Sequence, residues 1–271
     1  METGKANKIQ AKTFNSDHAE QYHLSVQIGL THLIYCIINT ITNNLEYLNN
    51  LIINDDFINI VNKEDILKLN FASSSVAFTN FPCTLIPNAL FKENSLEEIL
   101  RLNTDVYEII RSDQLAEIDT HLAYTIPSVI NDIVFTFFPN AKQKAQQTIL
   151  IEQFSKYNNK EDNVYLYIND NVLDITAFRN NSLLLNNAFN FTTKEDILYF
   201  TLFVFEQLKL DTETVHVILY GEIIKGDRNH QLLYDYIRNI EFGKKPDYIH
   251  LSSEFNNLQD HQFYALFSQY I

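Results

Sequence analysis

Apolar and polar positions alternate most regularly in the second half of the chain, from Val164 to Leu208. Three alternating runs in this stretch predict a meander of short strands joined by polar turns. An amphipathic helix is predicted to follow over 194–208, with Thr192 or Thr193 as its N-cap. The predicted strands span 164–168, 172–178 and 183–191. The stretch therefore predicts a β-β-β-α unit.

A less regular version of the same order occurs near the N-terminus. Predicted strands cover 24–30 and 33–38, and a third begins at 45. The pentapeptide Lys63-Glu-Asp-Ile-Leu67 is identical to 194–198 and is predicted to start a helix. Matching apolar positions in the first two strands of each half support the comparison. We infer an internal duplication, which predicts an α/β fold with mixed sheets, built from two β-β-β-α-β-α halves facing across a cleft.

The intervening and final segments continue the alternation of strands and helices. The polar run 158–163 is the clearest linker in the chain. We therefore expect a flexible leader over 1–20, a first half over 21–158 and a second half over 159–271. Further strands are predicted over 74–81, 83–86, 106–110, 121–126, 215–220 and 248–251, and further helices over 95–100, 128–137, 141–157, 229–239 and 260–270.

Composition narrows the classes of function. The chain has 271 residues and a net charge of −14, so binding to nucleic acid or to an anionic membrane surface is disfavoured. Only 5 glycines are present, which makes phosphate-binding loops built on glycine scarce. Cys36 and Cys83 lie in apolar runs and are expected to be reduced and buried. With no signal peptide and no apolar run of about 18 residues, we expect a cytoplasmic protein without membrane insertion.

The order of elements resembles the actin, sugar-kinase and heat-shock chaperone superfamily, whose halves are ribonuclease H-like. More narrowly, the segments 186–199, Glu206-Gln-Leu208 and Leu219-Tyr-Gly221 resemble an uncharacterised bacterial family, a domain of unknown function with an actin-like ATPase fold. That family is similar in plan to the actin-like proteins of type IV pilus assembly. The resemblance covers roughly residues 20–271, and it implies a nucleotide cleft flanked by the first hairpin of each half.

The first phosphate loop that this resemblance implies falls at the first hairpin. The superfamily has an Asp that organises hydrated Mg²⁺, followed two residues later by a Gly that lets backbone N–H groups approach phosphate. In this chain Gln27 replaces the Asp, Gly29 is retained, and Thr31 supplies a hydroxyl. The loop has therefore lost the negative charge that would hold magnesium.

The other two implied loops are also altered. The second phosphate loop reads Asn169-Asp170-Asn171, so both the acid and the glycine are replaced. The adenosine strand, which ends in two glycines in the superfamily, here ends in Gly221-Glu222. The same residues also fit ordinary hairpin turns and a strand end, because Asn, Asp and Gly favour turns in any protein.

We therefore predict a degenerate actin-like protein with no catalytic residue, no metal site and no cofactor, with ATP and Mg²⁺ disfavoured. It would act as a scaffold that binds another protein of unknown identity. The aromatic-rich C-terminus over 255–270 is a candidate exposed patch. The alternative is a nucleotide-dependent enzyme or switch that uses Gly29 and Thr31 on one side, Asp170 and Asp174 on the other, and Gly221 at the base. A third interpretation is an unrelated two-domain α/β protein.

Overall fold

The computed structural model describes residues 8–53, 57–156 and 161–270. The first part of the chain forms strands and helices in this order: β1 (Ile9–Gln10), β2 (Tyr22–Ile28), β3 (His32–Asn39), β4 (Asn44–Ile52), α1 (Phe57–Lys63), β5 (Ser73–Phe78), β6 (Cys83–Pro87), α2 (Leu96–Arg101), β7 (Ile109–Leu115), β8 (Thr120–Ile126), α3 (Ser128–Phe137), β9 (Lys142–Ala145) and α4 (Gln146–Lys156). The second part forms β10 (Asn163–Asn169), β11 (Val172–Arg179), β12 (Ser182–Asn190), α5 (Lys194–Leu208), β13 (His216–Gly221), α6 (Arg228–Tyr234), β14 (Asn239–Phe242), β15 (His250–Leu251) and α7 (Tyr264–Phe267). Short 3₁₀ turns lie at Ser16–Gln21, Asp65–Lys68, Asn88–Leu90, Glu93–Ser95, Ala116–Ile118 and Ser253–Phe255.

The two main sheets share one strand order. In the first, the order β4-β3-β2-β5-β9 combines an antiparallel meander with two parallel strands. In the second, β12-β11-β10-β13-β14 repeats that order and those directions. The predicted α/β fold with mixed sheets is confirmed. The shared strand order is consistent with two duplicated halves, each with one more parallel strand than the sequence indicated.

The first half carries an additional three-stranded antiparallel sheet. Its order is β6-β8-β7, and it is inserted with α2 between β5 and α3. A separate apolar cluster under α2, which includes Ile86, Leu96 and Leu100, fixes this helix on its sheet. The second half has no counterpart to this insertion among its described residues.

Turn and capping residues explain why the strands and helix of the second half were the easiest to predict from the sequence. Asn180 and Asn181 both adopt positive φ in the tight turn between β11 and β12, as asparagine can. Helix α5 begins with a complete capping box, in which Thr193 accepts from the N–H of Asp196 while the Asp196 carboxylate accepts from the N–H of Thr193 at 2.8 Å. The backbone N–H groups of Thr192 and Thr193 lower the pKa of Asp196 to about 2. Sequence therefore defined this helix to the residue.

The two copies of the pentapeptide adopt different structures. The copy at 194–198 opens α5, whereas the copy at 63–67 ends α1 and enters a 3₁₀ turn. The two identical pentapeptides therefore do not occupy structurally equivalent positions. The strand order carries the repeat instead.

Two of the predicted helices were wrong in part, because each predicted range includes residues that form a short strand. The helix predicted over 141–157 begins as β9, a four-residue polar strand, before α4. The helix predicted over 229–239 ends at Tyr234, and Asn239 already belongs to β14. Both strands pair in parallel with a distant neighbour, so the pairing that creates them has no local signal.

Both chain ends add to the first sheet, which corrects two expectations. From Lys8 onward the predicted flexible leader is ordered, since β1 pairs with β4. The aromatic C-terminus is not a surface patch, because Phe255, Tyr264 and Phe267 are buried. Strand β15 pairs with the first residues of β4, Asn44 and Leu45, and α7 packs on β2 and β3. The C-terminal segment therefore returns to the first half, and the predicted boundary at 158/159 lies outside the described residues.

Helix α4 and an aromatic cluster join the two halves. Phe154 stacks on Tyr165 of β10 with ring centroids 4.2 Å apart. Tyr264 stacks on the same phenylalanine at 5.6 Å and contacts Tyr220 at 4.3 Å. These rings belong to one apolar core that takes residues from both main sheets. Opening the halves would expose that core, so the packing favours a fixed arrangement.

Candidate functional site

Side chains of the protein fill the space around the first hairpin, between β2 and β3. Gln27 is buried, and its amide Nε2 donates to Oε1 of Gln146 on α4 at 3.0 Å. A Cβ on Gly29 would lie 2.9 Å from Cε1 of His32 and 3.0 Å from Oγ1 of Thr79. A larger residue at position 29 would therefore have to displace the imidazole of His32, which occupies the space beside the backbone. Thr31 is exposed at the tip.

The second hairpin, between β10 and β11, turns at Asp170 and Asn171. Asp170 adopts a left-handed φ of 51°, which Asp tolerates in a turn. Asn169 is buried and pairs with Val172 across the turn. The carbonyl of Asn171 accepts a hydrogen bond from the N–H of Phe191 at 2.9 Å. The chain thus forms this hairpin without a glycine.

The two hairpins are connected directly across the cleft. His32 Nδ1 lies 2.8 Å from Oδ2 of Asp170, and both side chains are largely shielded from solvent. On its other edge, His32 Nε2 lies 3.2 Å from Oγ1 of Thr79. A histidine of the first half therefore links its own sheet to the turn of the second half. This bridge lies between the two loops that flank phosphates in the superfamily.

A carboxylate also accepts a hydrogen bond from a backbone N–H group of the second hairpin. The N–H of Asp170 donates to Oε2 of Glu222 at 3.3 Å. In a phosphate loop such an N–H group would point at a phosphate oxygen. Glu222 thus supplies an anionic oxygen to this N–H group from within the chain.

Gly221 is needed for the backbone path from β13 into this region. Its φ is +85°, and a Cβ there would lie 2.0 Å from the carbonyl oxygen of Ile168. Its N–H donates to the carbonyl of His261 at 3.0 Å, and Glu222 N–H donates to Ile168 at 2.7 Å. His261 in turn lies with Nε2 2.6 Å from the carbonyl of Ile223, and burial lowers its pKa.

A cavity of about 550 Å³ remains beside the hairpins, and we call it the cleft cavity. Gln27, Asn169, Gly221 and Glu222 line it, so four of the nine predicted residues meet there. Among the described residues that line it, the charged ones are acidic, Glu222 and Asp227. A cavity with no lysine or arginine in its lining repels a polyphosphate. Among the described residues, no group of three or more His, Cys, Asp or Glu side chains could hold a metal ion.

Asp174 lies on β11 but outside the lining of the cleft cavity, and it faces α4 instead. Its Oδ1 accepts from Asn186 Nδ2 at 2.8 Å and from the Thr176 hydroxyl at 3.3 Å. Its Oδ2 has no hydrogen bond. Burial raises the pKa of this carboxyl from 3.8 to about 7, and the hydrogen bonds from Asn186 and Thr176 offset part of that effect. Its charge also adds to the burial that raises the pKa of the Cys83 thiol to about 12.

Comparison with known proteins places the fold and the family. The model of the family "Protein of unknown function (DUF3822)" matches residues 11–240. The chain belongs to this family. No curated protein matches the chain.

Solved structures similar to this DUF3822 protein share its architecture. A Bacteroides thetaiotaomicron protein with an actin-like ATPase fold and unknown function matches with a TM-score of 0.77 and 22% identity, over 85% of this chain and 94% of that one. The PilM–PilN type IV pilus biogenesis complex matches with a TM-score of 0.56 and 11% identity, over 91% of this chain and 97% of that one. The actin-like ATPase fold of this DUF3822 member, which the sequence predicted, is confirmed.

In this DUF3822 member Gly29, Thr31, Asp170 and Asn171 lie in the two hairpin turns and Gly221 ends β13, whereas Asp174 lies within β11. The contacts that these residues make were not predicted from the sequence. The sequence did not single out His32 or Thr79, and Asp170 had no assigned partner. Gly29 lies three residues before His32, a spacing that carries no sign of the bridge. The bridge depends on how the two halves pack, because His32 and Asp170 are more than 130 residues apart in the sequence.

Proposed function

We propose that this protein is an actin-like scaffold that binds another protein in the cytoplasm and neither hydrolyses nor requires ATP. One observation carries the proposal: the 2.8 Å contact between His32 and Asp170 joins the two hairpins that would otherwise surround the phosphates. A nucleotide would have to break this contact, and the loops offer no cationic side chain in the cleft cavity to replace it. The free cysteines Cys36 and Cys83 agree with a reducing compartment.

The loops also lack the groups that phosphoryl transfer requires. A carboxylate beside the first hairpin would hold hydrated Mg²⁺, but Gln27 is neutral and is bonded to Gln146. Glu222 already takes the N–H of Asp170. Each change removes one contact to the magnesium or the phosphate. Together they support binding of a partner elsewhere on the molecule.

The two sheets suggest where a partner binds, because the equivalent edge strand is covered in the first sheet and uncovered in the second. At the edge of the first sheet, β4 is covered by β1 and β15. At the edge of the second sheet, β12 pairs only with β11 among the described strands. An uncovered edge strand presents free N–H and C=O groups that an extended segment can pair with.

An aromatic ladder lies beside this open edge. Phe189 of β12 stacks on Phe200 of α5 with centroids 4.7 Å apart, and Tyr199 and Phe203 extend the row at 5.4 Å and 6.2 Å. Tyr199 is 62% exposed and Phe203 is 41% exposed. Exposed aromatic side chains contribute strongly to protein interfaces. We therefore assign the partner surface to β12 and the outer face of α5.

The cleft cavity supports a second candidate, a nucleotide-dependent switch with non-standard loops. About 550 Å³ of space beside Gly221 is large enough for a small organic ligand. In that case the partner surface would respond to ATP or ADP. The test below separates the two functions.

Tagged protein is used to capture partners from its native cell, with no nucleotide, with ADP·Mg²⁺ and with ATP·Mg²⁺. The scaffold predicts the same captured protein in all three conditions, and its loss with Tyr199→Ser/Phe203→Ser. Phe135→Ser is the matched control, because Phe135 is 75% exposed on α3 and lies outside the ladder. Capture that changes with nucleotide would support the switch. Capture that survives the double variant would refute the assigned surface.

A further inference from the structure

A second cavity, of about 470 Å³, lies on the first half and shares no lining residue with the cleft cavity. We call it the lysine pocket. Strands β5, β7 and β9 border it on one side, α4 on another, and the residues after α7 close one end. It therefore lies between the first main sheet and the inserted sheet.

Most of the wall of the lysine pocket is apolar. Small-molecule sites commonly combine such walls with a few polar groups that orient the ligand. The apolar lining consists of Val76, Leu115, Ala116, Ile118, Ile149 and Ile151. This lining suits a hydrocarbon chain.

Three lysines converge on this pocket although the chain as a whole is strongly acidic. Lys144 is neutralised by Glu152, at 2.6 Å. Lys142 and Lys156 are exposed at the rim of the pocket and have no ion pair with any residue in the described part of the chain. With Glu117 also in the lining, three lysines against two glutamates leave a net charge of +1. That balance matches a monoanion better than a phosphate ester.

The two unpaired lysines lie at the same end of the pocket. The Lys144–Glu152 pair shows that α4 runs back along β9. From that pair, four residues along the helix and two residues back along the strand each cover about 6 Å, which brings Lys156 level with Lys142. Ile149 lies about 10 Å along the helix from Lys156. The pocket thus has a cationic end and an apolar end.

Unsatisfied polar atoms lie at the C-terminal wall of the pocket. Ser268 is 1% exposed, and its Oγ has no hydrogen-bond partner. The amide Oε1 and Nε2 of the adjacent Gln269 are also buried without partners. Buried polar groups are nearly always hydrogen-bonded in folded proteins, and these atoms offer a donor and an acceptor that no protein group uses.

We propose that the lysine pocket binds a small amphipathic carboxylate. Its head lies against Lys142 and Lys156 and accepts from the Ser268 hydroxyl, while its hydrocarbon chain covers Ile149 and the other apolar residues. The site is independent of the proposed partner surface. It adds a ligand to a protein whose cleft lacks phosphate-binding groups.

Calorimetric titration of the full-length chain with octanoate, octan-1-ol and acetate tests the site. Octanoate shares its chain with the alcohol and its charge with acetate, so we expect it alone to bind with one site per chain. Lys142→Gln/Lys156→Gln should weaken octanoate binding by about tenfold or more. Lys12→Gln is the control, because the side chain of Lys12 is 91% exposed and lies outside the pocket.

Three results would overturn the proposal. Octanoate that binds no better than octan-1-ol would show an apolar cavity without a carboxylate site. Equal binding by the double variant and the Lys12→Gln control would show that the pocket lysines do not recognise the head. No binding of octanoate at all would mean that water alone satisfies Ser268 and Gln269.

Discussion

Replacing Asp174 with asparagine should stabilise the protein above neutral pH. The carboxyl is 2% exposed and faces α4 between the two halves. Its Oδ1 accepts hydrogen bonds from Asn186 and Thr176, whereas Oδ2 accepts none. An asparagine side chain keeps one carbonyl oxygen for those two donors and carries no charge. The substitution Asp174→Asn therefore removes the cost of burying a carboxylate while keeping its main contacts.

The pKa of this carboxyl sets the magnitude and the sign. In the folded state it is raised from 3.8 to about 7. Between those values the folded protein keeps the proton and the unfolded chain releases it, so the free energy of unfolding falls as pH rises through the window. Above about pH 7 the loss is complete. About three pH units at 1.36 kcal/mol each give an upper bound on the order of 4 kcal/mol.

Urea unfolding at pH 4.5 and pH 8.0 measures the effect. We expect Asp174→Asn to raise the free energy of unfolding by roughly 1–3 kcal/mol at pH 8.0 and by much less at pH 4.5. Asp132→Asn is the control, because Asp132 is exposed on α3 and its substitution should change stability by less than about 0.5 kcal/mol. A destabilised Asp174→Asn at pH 8.0, or a gain independent of pH, would refute the reasoning.

Three further predictions concern the backbone and a buried histidine. Gly221→Ala should cost at least about 2–3 kcal/mol because its Cβ would clash with the carbonyl of Ile168, whereas Gly226→Ala, at φ +82° with no atom within 4 Å, should cost about 1 kcal/mol; equal losses in urea unfolding would contradict this. Thr193→Ala should cost about 1 kcal/mol in thermal unfolding by removing the N-cap of α5, and an unchanged Tm would count against the capping box. Burial and a nearby lysine lower the pKa of His23 to about 4, so the unfolded state takes up the proton first and stability should fall as pH drops from 6.5 towards 4; His23→Asn should lack that slope, and a slope that persists would reject the assignment.

Sequence predicted those parts of the fold whose signal is local. The hairpin at Asn180 and the cap at Thr193 each rest on residues within a few positions of one another, and both formed as expected. Strand β9 was missed because its residues, Lys142–Ala145, are polar and favour helix. It is a strand because β5 lies beside it in parallel, which no local pattern indicates.

The candidate site follows the same rule. The sequence located the two hairpins, and the structure places Gln27 and Asn169 as buried residues at their strand ends. The contact of His32 with Asp170 was not predictable, because it joins two halves through a turn whose partner is set by the packing of α4 and the aromatic cluster. The exposure of Tyr199 and Phe203 was likewise not predictable, because the apolar residues of α5 continue onto its outer face.

Direct titration of ATP·Mg²⁺ into the purified protein tests the central claim that the joined hairpins leave no nucleotide site. Wild-type protein should give no binding heat up to about 1 mM nucleotide, and Asp170→Ala should behave in the same way, because releasing His32 supplies no magnesium ligand. Binding to the wild type at one site per chain that disappears in Asp170→Ala would contradict the account. It would make the His32–Asp170 pair part of a working nucleotide site.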